Sequence, residues 1–194
     1  MEAIKIIIVE GPDGAGKTTL INKMVHTLNL PVHARSANSD GSATQSTEGS
    51  RGANLSLWAY NDVTTQLNQP TSIYDRHCLI SEFVYGPILR AHVPVEMTGP
   101  ATRLLIQMLA KQVLVVYCRP PNENLVINCR KTPQPIPHLN DQNNVLKVAA
   151  GYDAWRVNWM GQSTMFDYTN PNDFASVMSA CRLHIAHFEN MRKS

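Results

Sequence analysis

A chain of 194 residues that is 43% apolar and 16% charged is long enough to bury one core and needs no second domain. Its formal net charge of +2 suits anionic substrates but falls well short of the localised basic face of a dedicated nucleic-acid binder, so it leaves such a partner open. Cys78, Cys118, Cys129 and Cys181 form no C-x-x-C or Cys/His cluster, which argues against a disulfide framework or a zinc site. No window approaches ~18 consecutive apolar residues and the chain starts directly on a strand-like run, so neither a membrane span nor a secretory signal is expected, and the expected location is the cytoplasm.

Ile4 to Val9 is a β-branched run expected to form a buried strand. After the segment Gly11 to Thr18, "GPDGAGKT", the residues Leu20, Ile21, Met24, Val25 and Leu28 share one face of a helix. A weaker strand is expected near Leu30 to Arg35. Ser36 to Gly52 has almost no apolar side chain and reads as a long exposed loop. Ser72 to Asp75 and Val113 to Cys118 are clear strands, the second fed by a helix that starts at Pro100 and carries Leu104, Leu105, Met108 and Leu109. Lys131 to Gln142 contains three prolines that forbid a continuous helix there. Met165 to Tyr168 is the last expected strand. Behind the cap Asn172, a final helix has the apolar stripe Phe174, Val177, Met178, Cys181, Ile185 and Phe188. This alternation predicts an α/β fold of about five parallel strands with helices on both faces, all in one domain spanning 1–194.

Gly11 and Gly16 have the spacing of G-x-x-x-x-G-K-[ST] between a strand and an amphipathic helix, the context that makes this a phosphate loop. Its glycines let main-chain N–H groups turn toward phosphate oxygens, and the helix start adds favourable partial charge. The nucleotide-binding set is therefore Gly11, Pro12, Asp13, Gly14, Ala15, Gly16, Lys17, Thr18 and Thr19. Lys17 is expected to reach the β and γ oxygens, and Thr18 to ligate Mg²⁺. Asp75 ends a strand where its carboxylate can approach the same metal, directly or through water. Arg76 can bridge donor and acceptor oxygens as charge redistributes, a geometry that lysine reproduces poorly. No N-K-x-D segment marks guanine recognition by a GTP-hydrolysing switch.

The stretches "IIIVEGPDGAGKTTL" and "YDRH…SEFVYG", with "AAGYDAW" and "FDYT" later, resemble the thymidylate kinase family, especially its compact bacteriophage branch. The resemblance implies the P-loop kinase fold, ATP as phosphate donor and Mg²⁺, and it would put the enzyme in a host cytoplasm if the source is viral. It implies catalytic roles for Lys17, Asp13, Arg76 and Asp75, with Thr18 and Asp75 at the metal. Acceptor-binding positions by the same resemblance are Arg35, Trp58, Glu82 and Tyr85, with Arg51 a weaker candidate. Ser36–Gly52 would be an acceptor loop and Lys131–Gln142 a lid, with Arg119, Arg130 and Lys131 on the lid side.

One departure bears on the acceptor. Thymidylate kinases usually continue after the second strand into an arginine-proline-glycine segment that shapes the monophosphate site, whereas this chain has "ARSANSDGSATQ". Some bacteriophage relatives instead phosphorylate the hydroxymethyl group of 5-hydroxymethyldeoxyuridine in DNA. The expected partner is thus DNA containing 5-hydroxymethyluracil, with a free pyrimidine deoxynucleotide such as dTMP as the alternative and a non-catalytic nucleotide-binding module behind both. For a DNA acceptor the target base would have to leave the duplex stack.

Overall fold

The computed structural model describes residues 6–33, 57, 59–61, 63–64, 71–89, 98–131 and 141–191. Arg35, Arg51 and Trp58, the expected acceptor loop 36–52 and the interior of the expected lid, residues 132–140, lie outside the described residues.

The sheet has five strands, all parallel: β1 (Ile6–Glu10), β2 (Val32–His33), β3 (Ser72–Asp75), β4 (Val113–Cys118) and β5 (Gln162–Phe166), in the order β2-β3-β1-β4-β5. Between them run helices α1 (Lys17–Leu28), α2 (Cys78–Leu89), α3 (Pro100–Ala110), α4 (Asn122–Lys131) and α5 (Gln142–Asn158), with α6 (Asp173–Met191) after β5. None of the described helices is long and apolar enough to cross a membrane.

The two-residue alternation of β1 explains the layering. Ile6 and Ile8 enter a core with Leu79, Val84 and Tyr85 of α2, Leu105 and Leu109 of α3, and Val148 and Tyr152 of α5. Ile7 and Val9 face the other way, onto Leu20 and Met24 of α1, Leu125 of α4 and Val177 and Met178 of α6. A strand buried on both faces must be apolar throughout, which is why β1 and β4 are continuous apolar runs until their ends.

Three sequence expectations need adjusting. β1 continues past Val9 to Glu10, a carboxylate with no solvent exposure. β5 covers Gln162–Phe166 rather than Met165–Tyr168, because its partner β4 sets the ladder from Leu114↔Gln162 to Cys118↔Phe166. Being an edge strand, it tolerates polar residues that hide it from a hydrophobic scan. Leu104 points to solvent, and Thr102, Leu105, Leu109 and Ala110 form the buried side of α3. Among the described residues of the weaker early strand, Val32 and His33 pair in register with Ile73 and Tyr74.

β1 lies at the centre, and the chain leaves it toward β3 on one side and β4 on the other. Such a switch point opens a crevice at the carboxyl ends of the strands. The segment Gly11–Gly16 emerges there.

Candidate active site

Gly11 has φ of 141°, and a Cβ on it would stand 2.4 Å from the Cys118 carbonyl oxygen, so the loop leaves β1 flush against the end of β4. Gly16, at φ 81°, begins α1 with no side-chain cap. The first-turn N–H groups of that helix are thus left for an anion in the loop. Lys17 folds back under the loop, its Nζ donating to the carbonyls of Gly11 at 3.0 Å and Pro12 at 2.7 Å. Burial, reinforced by the Arg76 charge, lowers its pKa to about 8.

Asp13 joins this loop to the turn after β3. Its Oδ1 accepts from Arg76 Nη2 at 2.7 Å and its Oδ2 from the Tyr85 hydroxyl at 2.7 Å, while the Arg76 guanidinium lies 4.8 Å from the centre of the Tyr85 ring. Arg76 itself has φ of 68°, a left-handed backbone that costs a residue with a Cβ about 1–2 kcal/mol. Its N–H donates to the Val9 carbonyl at 3.1 Å, and the next N–H, of His77, donates to Glu10 Oε1 at 2.8 Å. Glu10 also accepts from Ser81 Oγ at 3.0 Å and from the Tyr152 hydroxyl at 2.6 Å. Burial raises the Glu10 pKa, and Arg76 with these donors works against the rise.

Asp75 is the register partner of Val9, which brings its carboxylate alongside the start of the loop, and Thr18 is exposed in the first turn of α1. Among the described residues no group of three or more His, Cys, Asp or Glu forms a metal cage. A hydroxyl and a carboxylate are the sparse hard-oxygen donor set that suits Mg²⁺ when phosphates and water complete the shell, so the residues fit that ion.

Glu82 is buried one helical turn before Tyr85. Arg119, just after β4, makes a bidentate pair with Asp153 on α5, with Nε–Oδ1 and Nη2–Oδ2 distances of 3.0 Å, and the Tyr117 hydroxyl donates to the same carboxylate at 2.7 Å. Arg130 donates to Gln142 Oε1 at 2.8 Å, tying the end of α4 to the start of α5 across the proline-rich segment. Lys131 is exposed at the end of α4.

Solved structures of similar architecture cover nearly the whole chain. One is the YorR protein from Bacillus subtilis in complex with phosphorylated GDP, with 17% identity over 94% of this chain and 98% of that one and a TM-score of 0.67. Deoxyadenosine kinase from M. mycoides with bound dATP gives 13% identity, coverage of 92% and 99%, and a TM-score of 0.65. The same enzyme with dCMP and a flexible dCDP gives 12%, coverage of 91% and 98%, and 0.61. This is the P-loop kinase fold. No family model matches the chain, and no curated protein matches it in sequence.

Within the P-loop kinase fold, the structure adds site residues that local patterns do not single out. Glu10 and Tyr152 brace the turn carrying Arg76, and the available signals were an acid closing an apolar strand and a tyrosine inside "AAGYDAW". Asn128 Nδ2 donates to the Gly14 carbonyl at 2.9 Å and to the Tyr168 hydroxyl at 2.8 Å, so α4 and the turn after β5 buttress the phosphate loop. Nothing in the sequence around Asn128 announces that contact.

Proposed function

We propose that the protein is an ATP-dependent phosphotransferase, its chain 1–194 forming one domain with an acceptor loop at 36–52 and a lid at 131–142. In our reading it transfers the terminal phosphoryl group of ATP to the hydroxymethyl group of 5-hydroxymethyldeoxyuridine in DNA, a step toward hypermodified thymidine. The observation that carries this is Asp13, a carboxylate inside the phosphate loop that is 2.7 Å from both Arg76 and Tyr85. The group suited to orient an acceptor hydroxyl thus belongs to the same loop that holds the donor.

The loop N–H groups from Gly11 to Thr19 bind the phosphate chain. Lys17 exchanges the carbonyls of Gly11 and Pro12 for phosphate oxygens, regaining a counter-charge for its buried ammonium. Thr18 and Asp75 would hold Mg²⁺, which neutralises charge on the phosphates when bound. Asp13 accepts a hydrogen bond from the hydroxymethyl O–H, turns its oxygen toward the phosphorus and takes the proton as the new O–P bond forms and the bond from the γ-phosphorus to the β–γ bridging oxygen breaks, with ADP leaving. Phosphoryl transfer has a loose transition state, so this positioning matters more than deprotonation. Arg76 stabilises the charge shared by donor and acceptor oxygens. Glu82, Tyr85, Arg35 and Trp58 are the proposed acceptor-side residues.

A second reading, a free deoxynucleoside monophosphate kinase, is favoured by the deoxyadenosine kinase neighbours, whose structures hold free deoxynucleotides. There the acceptor oxygen is already anionic, and Arg35 and Arg76 would carry more of the work. The test offers γ-labelled ATP and Mg²⁺ with free dTMP, free 5-hydroxymethyl-dUMP and DNA containing 5-hydroxymethyluracil in parallel. Label in the polymer alone supports the DNA acceptor, and label confined to free nucleotides selects the second reading. No label anywhere rejects both. Lys17→Ala is expected to abolish transfer, whereas Arg51→Ala should change it little.

A further inference from the structure

Among the described residues two non-glycines have a left-handed backbone, Asn29 at the end of α1, where asparagine is at ease, and Arg76, where nothing about the side chain favours it. A conformation of this kind persists only where its surroundings over-determine it. Here the peptide groups on both sides of the Arg76 Cα are fastened to β1, one through the Val9 carbonyl and the other through the Glu10 carboxylate. Glu10 is in turn fastened from the far side by Tyr152, whose ring has no exposure and sits 5.9 Å edge-on from Tyr85 and 5.8 Å from the stacked ring of Tyr117. Tyr152 reaches Glu10 because Gly151 lets α5 lie close to α2: a Cβ at that glycine would stand 3.1 Å from a methyl of Val84 and 3.3 Å from one of Ile88.

We propose that Glu10 and Tyr152 are positioning residues for Arg76: Tyr152 holds Glu10, Glu10 holds the His77 N–H, and that peptide keeps Arg76 in the left-handed turn that delivers its guanidinium to Asp13. The proposal rests on Arg76 acting in phosphoryl transfer. It adds that the aim of this arginine is set from α5, the helix that follows the proline-rich segment. The chain of contacts is specific, since each link is a hydrogen bond of 2.6–2.8 Å between groups with little or no solvent access.

Tyr152→Phe deletes one hydroxyl and keeps the ring. It should leave the dissociation constant for ATP within about twofold, lower kcat by roughly tenfold or more, and shift the Nε–H resonance of Arg76, which is assigned by its loss in Arg76→Lys. In the Arg76→Lys background the same change should cost no more than about twofold, because the group it positions is gone. Glu10→Gln poses the question from the other side if Tyr152→Phe does not fold. An Arg76 resonance that stays in place, or losses that simply multiply in the double variant, would overturn the proposal. The resonance is read without turnover, so a wild-type protein that transfers no phosphate refutes the phosphotransferase function separately from this coupling.

Discussion

Arg76 and Asp13 meet at 2.7 Å with only 11% and 13% of their side-chain surfaces exposed, so the charge on the turn after β3 is balanced by a residue of the phosphate loop itself. Removing one partner of such a shielded pair outright costs about 3–5 kcal/mol. Asp13→Asn keeps an acceptor oxygen, and we expect a smaller loss of about 1–3 kcal/mol, seen as a lower Tm. Turnover should fall more than about tenfold while ATP affinity changes little, because the carboxylate is assigned to the acceptor. Calorimetry and initial rates check this, and unchanged turnover would remove Asp13 from that role.

Gly16→Ala separates two kinds of strain. A Cβ there stands 3.0 Å from the Tyr168 ring, and φ is 81°, so both contact and backbone oppose it. Tyr168→Ala in the same chain relieves the contact and not the backbone. The double variant should therefore recover only part of the lost ATP affinity, leaving a deficit of about 1–2 kcal/mol. Full recovery in a titration would mean that the left-handed backbone at Gly16 is not needed.

The buried ammonium of Lys17 makes nucleotide binding a proton-linked event. Burial holds its pKa at about 8, below the ordinary 10.5, and phosphate oxygens beside it would raise it again. Binding should release or take up almost no proton through this group at pH 7. Above pH 8 it should take up close to one proton, with affinity falling up to about tenfold per pH unit until the pKa of the bound form is reached. Titration calorimetry at pH 9 in buffers of different ionisation enthalpy reads the uptake directly, and Lys17→Met should abolish it.

Acid should destabilise the fold partly through two buried histidines. Burial lowers the pKa of His77 and of His184 to about 4 from an ordinary 6.5. Between those values the unfolded chain binds protons that the native chain does not, so stability is lost as pH falls from about 6.5 to 4. Glu10 opposes this in part, since its raised pKa favours the folded state as it protonates. His184 lies on α6, with Nδ1 2.9 Å from Gln162 Oε1 and no part in the proposed chemistry, so His184→Gln is the clean probe. It should flatten the fall of Tm across that window, and an unchanged slope would count against a neutral buried imidazole.

Sequence patterns located what depends on local chemistry. β3 and β4 have the expected bounds, β4 because a buried parallel strand leaves an uninterrupted apolar run, and the phosphate loop is legible because its backbone demands glycines at fixed offsets. Glu10 looked like the first residue past a strand because burial of a carboxylate is intelligible only once His77, Ser81 and Tyr152 surround it. Asp13, Arg76 and Tyr85 each stand out as candidates from their own motifs. Their contact spans 63 and 72 positions and follows from the strand order, which no short motif encodes. The bond from Asn128 to Gly14, 114 positions apart, left no trace at all.

The placement of β1 has a consequence for how the molecule comes apart. It is bonded along both edges, and Ile7, Ile8 and Val9 have no solvent exposure, so its amides should exchange with deuterium only through global opening. β5, paired on one side among the described residues, should exchange sooner. The loop that grips the donor is rooted in the slowest-opening segment, so fraying at the rim of the sheet can proceed some way before that grip is lost.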